Sequence, residues 1–443
     1  MPDVEASQDR ERPLRSPAFR WFFAGRSISM AGSFMSPVAL AFAVLELTDN
    51  PGWLSAVTSA SYVPMVATML LGGGIADRHR RDTVLRLTSL GAGLTQGCVA
   101  VLLLTHQHPA LLLPFAALNG VFQGLTTPAL RGIVSNLAVG GGLQQASSLL
   151  ASAGNTARIL GPTTAGLLTA SVGGGWAIAA DASSFLLAAA LFARISLPDL
   201  PPRAEGNPTM RSEMREGWAY FRSQTWIWSV TLAFAVFNGT NMGVWQILGP
   251  TIANDTIGAA GWGLVLSARG VGALLASVVL VKVTVMRRPM VPALSAMALA
   301  TLPLILLGTG ANTFWLAAAS LLGGVVAEFF TVVWETVNYT HIPERLLSRV
   351  GAHDEFWSSA SFPIGQLSAP ALAAAFGTTA VAVAGGGTAA TAMLLASFVP
   401  ALRRIEINRT RAPRVAQRLT RQRRARPDRG AAPGVDQSRG KAR

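Results

Sequence analysis

Between residues 18 and 401 the chain divides into twelve successive windows of mostly apolar residues, each long enough to cross a lipid bilayer as a helix. Such a crossing takes about 20 residues, because in hydrocarbon every backbone N–H and C=O must be paired within the segment itself. Broken at charges, prolines and glycine clusters, the windows fall at 18–46, 53–76, 83–105, 109–136, 145–170, 175–197, 226–253, 262–285, 290–310, 313–340, 352–377 and 379–401. The fold class that follows is an all-α membrane protein. Charge usage agrees, since 13% of the 443 residues are charged, where a soluble domain carries roughly 25%. The single cysteine, Cys98, excludes an intrachain disulfide framework, and no cluster of residues calls for a metal or another cofactor.

Residues 1–17 lack the apolar stretch and small-residue cleavage site of a secretory signal, so the first window reads as an uncleaved anchor with the N-terminus in the cytoplasm. Assigning loops alternately from that start puts Arg78, Arg80, Arg81, Arg203, Arg211, Arg215, Arg222, Arg287, Arg288, Arg345 and Arg349 on the inner side. The outer loops hold no Lys or Arg; they offer Asp49, His106, His108 and Asp255. One missed window would scatter the arginines over both faces, so the positive-inside rule supports an even count and two cytoplasmic termini. The longest polar connection splits the windows six and six. The predicted organisation is a cytoplasmic N-terminus over 1–17, a six-helix bundle over 18–197, a cytoplasmic linker over 198–225, a second six-helix bundle over 226–402 and a basic, disordered cytoplasmic tail over 403–443. That tail carries 14 basic residues against three acidic ones. It suits a solvated state or contact with anionic lipid, while nucleic-acid binding has no supporting pattern.

The loop after the second window reads Gly73-Gly74-Ile75-Ala76-Asp77-Arg78-His79-Arg80-Arg81. It resembles the signature loop of the major facilitator superfamily, departing from it at Arg80 and Asp82. Further stretches resemble the same superfamily: Phe19 to Gly32, Pro128-Ala129-Leu130-Arg131, Arg158-Ile159-Leu160-Gly161-Pro162 and Arg349-Val350. Within it the chain is most similar to the drug and proton antiporter branch, which includes macrolide-efflux and siderophore-export proteins, over residues 16 to 402. The resemblance implies two pseudo-symmetric six-helix bundles of the major facilitator fold. It also implies a latch in which Gly73 lets two helix ends approach while Asp77, Arg78, Arg81 and Arg131 form a charge network. An ordinary basic inner loop is the plainer reading of those arginines.

In the fifth window, Gly154, Gly161, Pro162 and Gly166 resemble an antiporter motif of the same superfamily, with Ala165 standing where a further glycine is usual. Proline kinks a helix and small residues permit close packing, which together would make a tight seam; a generic kinked helix would show the same residues. Charges inside the windows are costly and must face protein or water. Glu328, near the middle of the tenth window, and Asp181, near the outer end of the sixth, are candidate proton carriers, with Arg158 and Arg269 as coupling partners or as static salt-bridge partners. Arg26, Arg131 and Glu335 complete the set. Ser33, Tyr62, Asn119, Gln123, Asn238, Asn241, Trp245 and Gln366 sit at midplane depth as candidate cavity residues, although hydrogen bonds between helices would satisfy each of them equally well. Trp21, Phe22, Phe23, Trp53 and Trp226 fall at predicted membrane interfaces and suit an aromatic belt.

A nucleotide-driven pump needs a phosphate loop ending in Gly-Lys and then Ser or Thr, and neither lysine, Lys282 nor Lys441, stands in one. The chain is therefore expected to be a transporter and not an enzyme, driven by an ion gradient. The resemblance implies protons as the coupling ion and export of small amphipathic organic molecules, drug-like or natural products, across the cytoplasmic membrane of a bacterium, by a monomer. The competing expectations are a siderophore or nutrient importer of the same fold and a non-transporting sensor or scaffold.

Overall fold

The computed structural model describes residues 13–48, 50–76, 80–137, 142–195, 210–280 and 286–406. Most of the described residues of each of the twelve windows are helical, and the described residues hold no strand. The first six helices are α1 (Pro17–Leu47), α2 (Pro51–Ala76), α3 (Arg81–Leu104), α4 (Leu112–Leu137), α5 (Gly142–Val172) and α6 (Gly174–Phe192). A linker helix (Met210–Ser223) precedes the rest. α7 is continuous over Thr225–Thr240, Asn241–Leu248 and Gly249–Thr256, its middle stretch wound as a π-helix. There follow α8 (Gly258–Leu280), α9 (Met290–Gly308, with a tighter turn over Ala298–Thr301), α10 (Thr313–His341), α11 (Glu344–Ser359 and Ser361–Phe376) and α12 (Thr378–Ser397).

Among the described residues, eight of these helices are long and apolar enough to cross a membrane by length and composition. α5 and α11 each carry an internal proline, Pro162 and Pro370, among glycines, serines or threonines.

Helix ends follow local chemistry. Ser16 caps α1, its hydroxyl accepting from the Phe19 N–H at 3.4 Å, and Pro17 occupies the first turn, where a missing N–H costs nothing. Asn312 caps α10 by accepting from the Trp315 N–H at 3.2 Å. The turns into α6 and α12 each place a glycine in the left-handed region, Gly173 at φ +93° and Gly377 at φ +85°, a conformation that strains any residue with a Cβ.

The start of α1 and the described arginine-bearing connections share one end of the helices, called here the termini face. There the Arg194 guanidinium lies 4.6 Å above the Trp21 ring. Arg287 and Arg288 both reach Glu406, at 2.9 and 2.7 Å. Their hydrogen bonds hold the Glu406 carboxyl below its usual titration range, so this exposed contact is intact at neutral pH and is lost as pH falls through the lowered value. Glu216 of the linker helix pairs with Arg345, at 3.1 Å, and with Arg349, clamping the start of α11. At the opposite, far face, Trp53 meets His108 edge-on at 5.0 Å.

Phe22 is 1% exposed and packs on Phe192, and Trp226 is 8% exposed and packs on Trp334. Both belong to the interior and not to an interfacial belt, because the first turns of α1 and α7 already face their neighbours.

Glycine sets how closely α7 and α11 approach. A Cβ on Gly365 would overlap the Gly239 carbonyl, and one on Gly243 would overlap the Gly365 carbonyl. Gly365→Ala is therefore expected to destabilise the fold by about 1–3 kcal/mol through overpacking. Gly387→Ala, where a Cβ meets nothing within 4 Å, should leave stability unchanged. Thermal unfolding in detergent compares the two, and equal midpoints would contradict the packing described.

Candidate functional site

Two helix pairs make most of the contact between the first six helices and the last six. In the α5–α8 pair, a Cβ on Gly166 would overlap the Ala259 carbonyl, and one on Gly263 would overlap the Pro162 carbonyl. The Thr163 hydroxyl donates to the Ser267 hydroxyl at 2.6 Å, and Gly270 packs on Arg158 and Ile159. On its other side α5 uses Gly154 to receive Met30 and Gly161 to receive Phe34, both from α1. The motif predicted in the fifth window thus lies between α1 and α8, with each small residue set against a backbone or a large side chain.

The α2–α11 pair is joined by hydroxyls. Ser55 donates to the Gln366 backbone carbonyl at 2.6 Å and Ser59 to Gln366 Oε1 at 3.1 Å, while Tyr62 meets Phe362 edge-on at 5.9 Å. These contacts lie in the middle and the far-face portion of the helices. Toward the far face one apolar cluster unites Val38, Phe42 and Ala165 of the first six helices with Val244, Trp245 and Trp262 of the last six.

On the termini side a cavity of about 400 Å³ opens among α1, α3, α4, α5 and α6. Arg26, Ser33, Gln123 and Arg158 give it polar lining, and Met30, Phe34, Phe185 and Phe192 give it apolar lining. The Arg158 guanidinium carbon stands 5.8 Å from the centre of the Phe34 ring. A second, water-sized void of about 10 Å³ lies among the last six helices, bordered by Asn241, Trp245, Arg269 and Ser320. The π-helical winding of α7 carries Asn241 and Trp245 to it.

Of the eight predicted cavity residues, Ser33 and Gln123 line the larger cavity, and Asn241 and Trp245 line the smaller void. The other four are taken up by packing and by hydrogen bonds between helices. Asn119 donates to the Ala92 carbonyl and to the Thr95 hydroxyl, both at 3.2 Å; Asn238 donates to the Ser358 carbonyl at 3.2 Å; Tyr62 and Gln366 belong to the α2–α11 joint.

Asp181 is 1% exposed and sits between α1, α3 and α6. Its Oδ2 accepts from Gln96 Nε2 at 2.9 Å, and its Oδ1 has no partner among the described residues. A Cβ on Gly32 would come within 2.5 Å of that Oδ1, so the glycine makes room for the carboxylate. The side chain is thus walled off from the far face, although its sequence position lies close to it, because it points at α1 across the bundle. Glu328 is half-buried on α10, without an ion pair among the described residues.

Asp77 and Arg78 of the predicted latch lie outside the described residues. Gly73 falls in α2 and Arg131 in α4, and Arg81 opens α3 beside Arg80, which pairs with Asp82 at 2.9 Å. Sequence reading passed over Asp354, which accepts from Thr231 at 2.6 Å and from Trp334 Nε1 at 3.2 Å and so ties α7, α10 and α11 together. The available signal was a carboxylate at the very edge of an apolar window.

The sequence profile of the transmembrane secretion effector family matches residues 10–426. The chain is 24% identical over 404 residues to the enterobactin exporter EntS of Shigella boydii serotype 18, covering 89% of this chain and 94% of the relative. It is likewise 24% identical over 405 residues to the enterobactin exporter of Shigella flexneri, covering 89% and 93%. Among solved structures it is similar to the nucleoside transporter NupG, with a TM-score of 0.68 at 13% identity over 85% of this chain and 98% of that one. A bacterial homologue of the human lysosomal transporter Spinster, in an inward-facing and unoccupied conformation, gives 0.61 at 13% identity over 86% and 97%. At such identities the structural likeness concerns the fold alone.

Proposed function

The chain belongs to the transmembrane secretion effector family, within the major facilitator superfamily, and from that premise we propose that it exports small amphipathic organic molecules by proton-coupled alternating access. It is a multi-pass membrane transporter. The observation that supports export is the placement of the cavity lined by Arg26, Ser33, Gln123 and Arg158: it lies on the termini side, beneath a seam packed toward the far face. With both termini cytoplasmic, as the arginine distribution implies, that cavity loads from the cytoplasm. Its mixed lining of aromatic rings, hydroxyls and guanidinium groups suits molecules that are themselves part apolar and part polar.

The relatives named for enterobactin export support outward transport of a natural product. Asp181 and Glu328 are the proposed proton carriers, and Gly73, Asp77, Arg78, Arg81 and Arg131 the proposed latch that remakes itself as the halves rock. Purified protein in liposomes with an imposed pH gradient tests the proposal. Amphipathic compounds should accumulate against their own gradient and exchange in counterflow. Counterflow without any response to the pH gradient would remove proton coupling, and uptake restricted to the opposite direction would make the protein an importer.

A further inference from the structure

Helices α7, α11 and α12 enclose a groove of about 690 Å³ that shares no lining residue with the cavity around Arg158. Gly239 and Gly243 of α7, Ile364 and Phe376 of α11 and Val381 and Ala384 of α12 are among its lining residues. Ile364 stands two residues from Gln366, which joins α11 to α2, and so lies on the other side of that helix. The groove therefore faces away from the joint between the halves. Ile364 and Phe376 are each 69% exposed, which opens it sideways to lipid. No charged residue lines it. Its hydroxyls are already engaged: Thr240 donates to the Val236 carbonyl at 3.0 Å, Ser361 to the Ser358 carbonyl at 3.2 Å and Ser368 to the Gly365 carbonyl at 3.3 Å. Amphipathic cargo would find nothing there for its polar part, whereas a hydrocarbon chain needs nothing more.

The termini end of the same face carries a different chemistry. Trp357 stands one turn before Ser361 on α11, and Trp228 two turns before Ala235 on α7; both indoles are exposed, and Ser361 and Ala235 line the groove. Trp218 of the linker helix, exposed as well, packs on Trp357 with ring centres 5.9 Å apart. Arg215 and Arg222, three residues before and four after Trp218, share its side of the linker helix and are exposed. Neither belongs to an ion pair among the described residues, and neighbouring Glu216 is already paired with Arg345 and Arg349. Glu355, near Trp357, accepts from Ser359. Indoles settle at headgroup level in a membrane, and guanidinium groups at that level attract anionic lipid.

We infer that this face is a binding site for one anionic phospholipid of the termini-side leaflet, its phosphate held by Arg215 and Arg222 beside Trp218 and Trp357 and one acyl chain running along α11 into the groove. From Ser361 to Phe376 the α11 face is about 22 Å long at 1.5 Å per residue, enough for a chain that crosses a leaflet of about 15 Å. The charged end and the apolar end are thus separate features of the protein that one molecule satisfies together. Held at both ends, the lipid ties the linker helix to α7, α11 and α12. The site is independent of the direction of transport and of the coupling ion.

Titrating the delipidated full chain with lipid and counting adducts by native mass spectrometry tests this, with dioleoyl phosphatidylglycerol and dioleoyl phosphatidylcholine as the probes. Phosphatidylglycerol should bind at least about fivefold more tightly. Arg215→Gln with Arg222→Gln should bring that ratio close to one; both side chains are exposed, so the fold is unaffected. Ala380→Leu with Ala384→Leu narrows the groove and should weaken both lipids while leaving their ratio as it was. A phosphatidylglycerol carrying a diazirine near its chain end, photolysed on the wild-type protein, should mark residues 361–376 and 380–388 at least about fivefold more than exposed Leu94 and Val101 of α3. Equal binding of the two lipids would overturn the inference. So would a ratio unchanged by the arginine substitutions, which would give the preference to the basic tail, or photolabelling spread evenly over α3 and the groove. Photolabelling blocked by a second copy of the chain seated on this face would overturn it as well.

Discussion

Oxidising a Thr163→Cys, Ser267→Cys pair in a Cys98→Ala background should cut transport at least about tenfold, and a reductant should restore it in the same sample. The two hydroxyls are 2.6 Å apart across the α5–α8 joint. Side chains that close bring their Cβ atoms within the range a disulfide requires, and the bond then fixes the separation of the two helices. For the far face to open, α5 must part from α8 along this stretch, because the same pair carries the Gly166 and Gly263 contacts that seal it. A covalent bridge removes that state from the cycle while leaving the termini-side cavity as it stands. Exposed Cys98 must be replaced first, since it would otherwise form unrelated cross-links. Complete cross-linking with undiminished transport would show that the joint does not part, and the alternating-access reading would fail with it.

The sequence already marked the helices, because each apolar window obeys a requirement of hydrocarbon that no tertiary contact can relax. It also marked α5 as a packing helix, since glycines and a proline in one window have few other uses, and the structure sets those residues between α1 and α8. Facing direction was the part that composition could not supply. Asn119 and Gln123 are one turn apart and were equally plausible as cavity residues, yet Asn119 is spent on Ala92 and Thr95 while Gln123 borders the cavity. Ile159 and Gly270 stand far apart in the sequence, and only the crossing of α5 with α8 sets one against the other. The Glu216 clamp was hidden for another reason: a surface carboxylate on a short amphipathic helix looks solvated until the start of α11 is placed against it.

Asp181→Asn should reduce gradient-driven accumulation at least about tenfold while leaving counterflow exchange within about twofold of wild type. The amide has the shape of the carboxyl and keeps an oxygen for Gln96, whose Nε2 lies 2.9 Å from Oδ2, so the pocket made by Gly32 still accommodates it. What it loses is the exchangeable proton. A carrier that cannot pick up and release a proton can still shuttle substrate down its own gradient, but the pH gradient no longer biases the direction. Glu328→Gln poses the same question in the second half, where the side chain is half-buried and borders no ion pair among the described residues. If Asp181→Asn stays coupled and Glu328→Gln does not, the proton rides on α10; if accumulation survives both substitutions, neither carboxylate carries it, and the driving ion must be sought elsewhere.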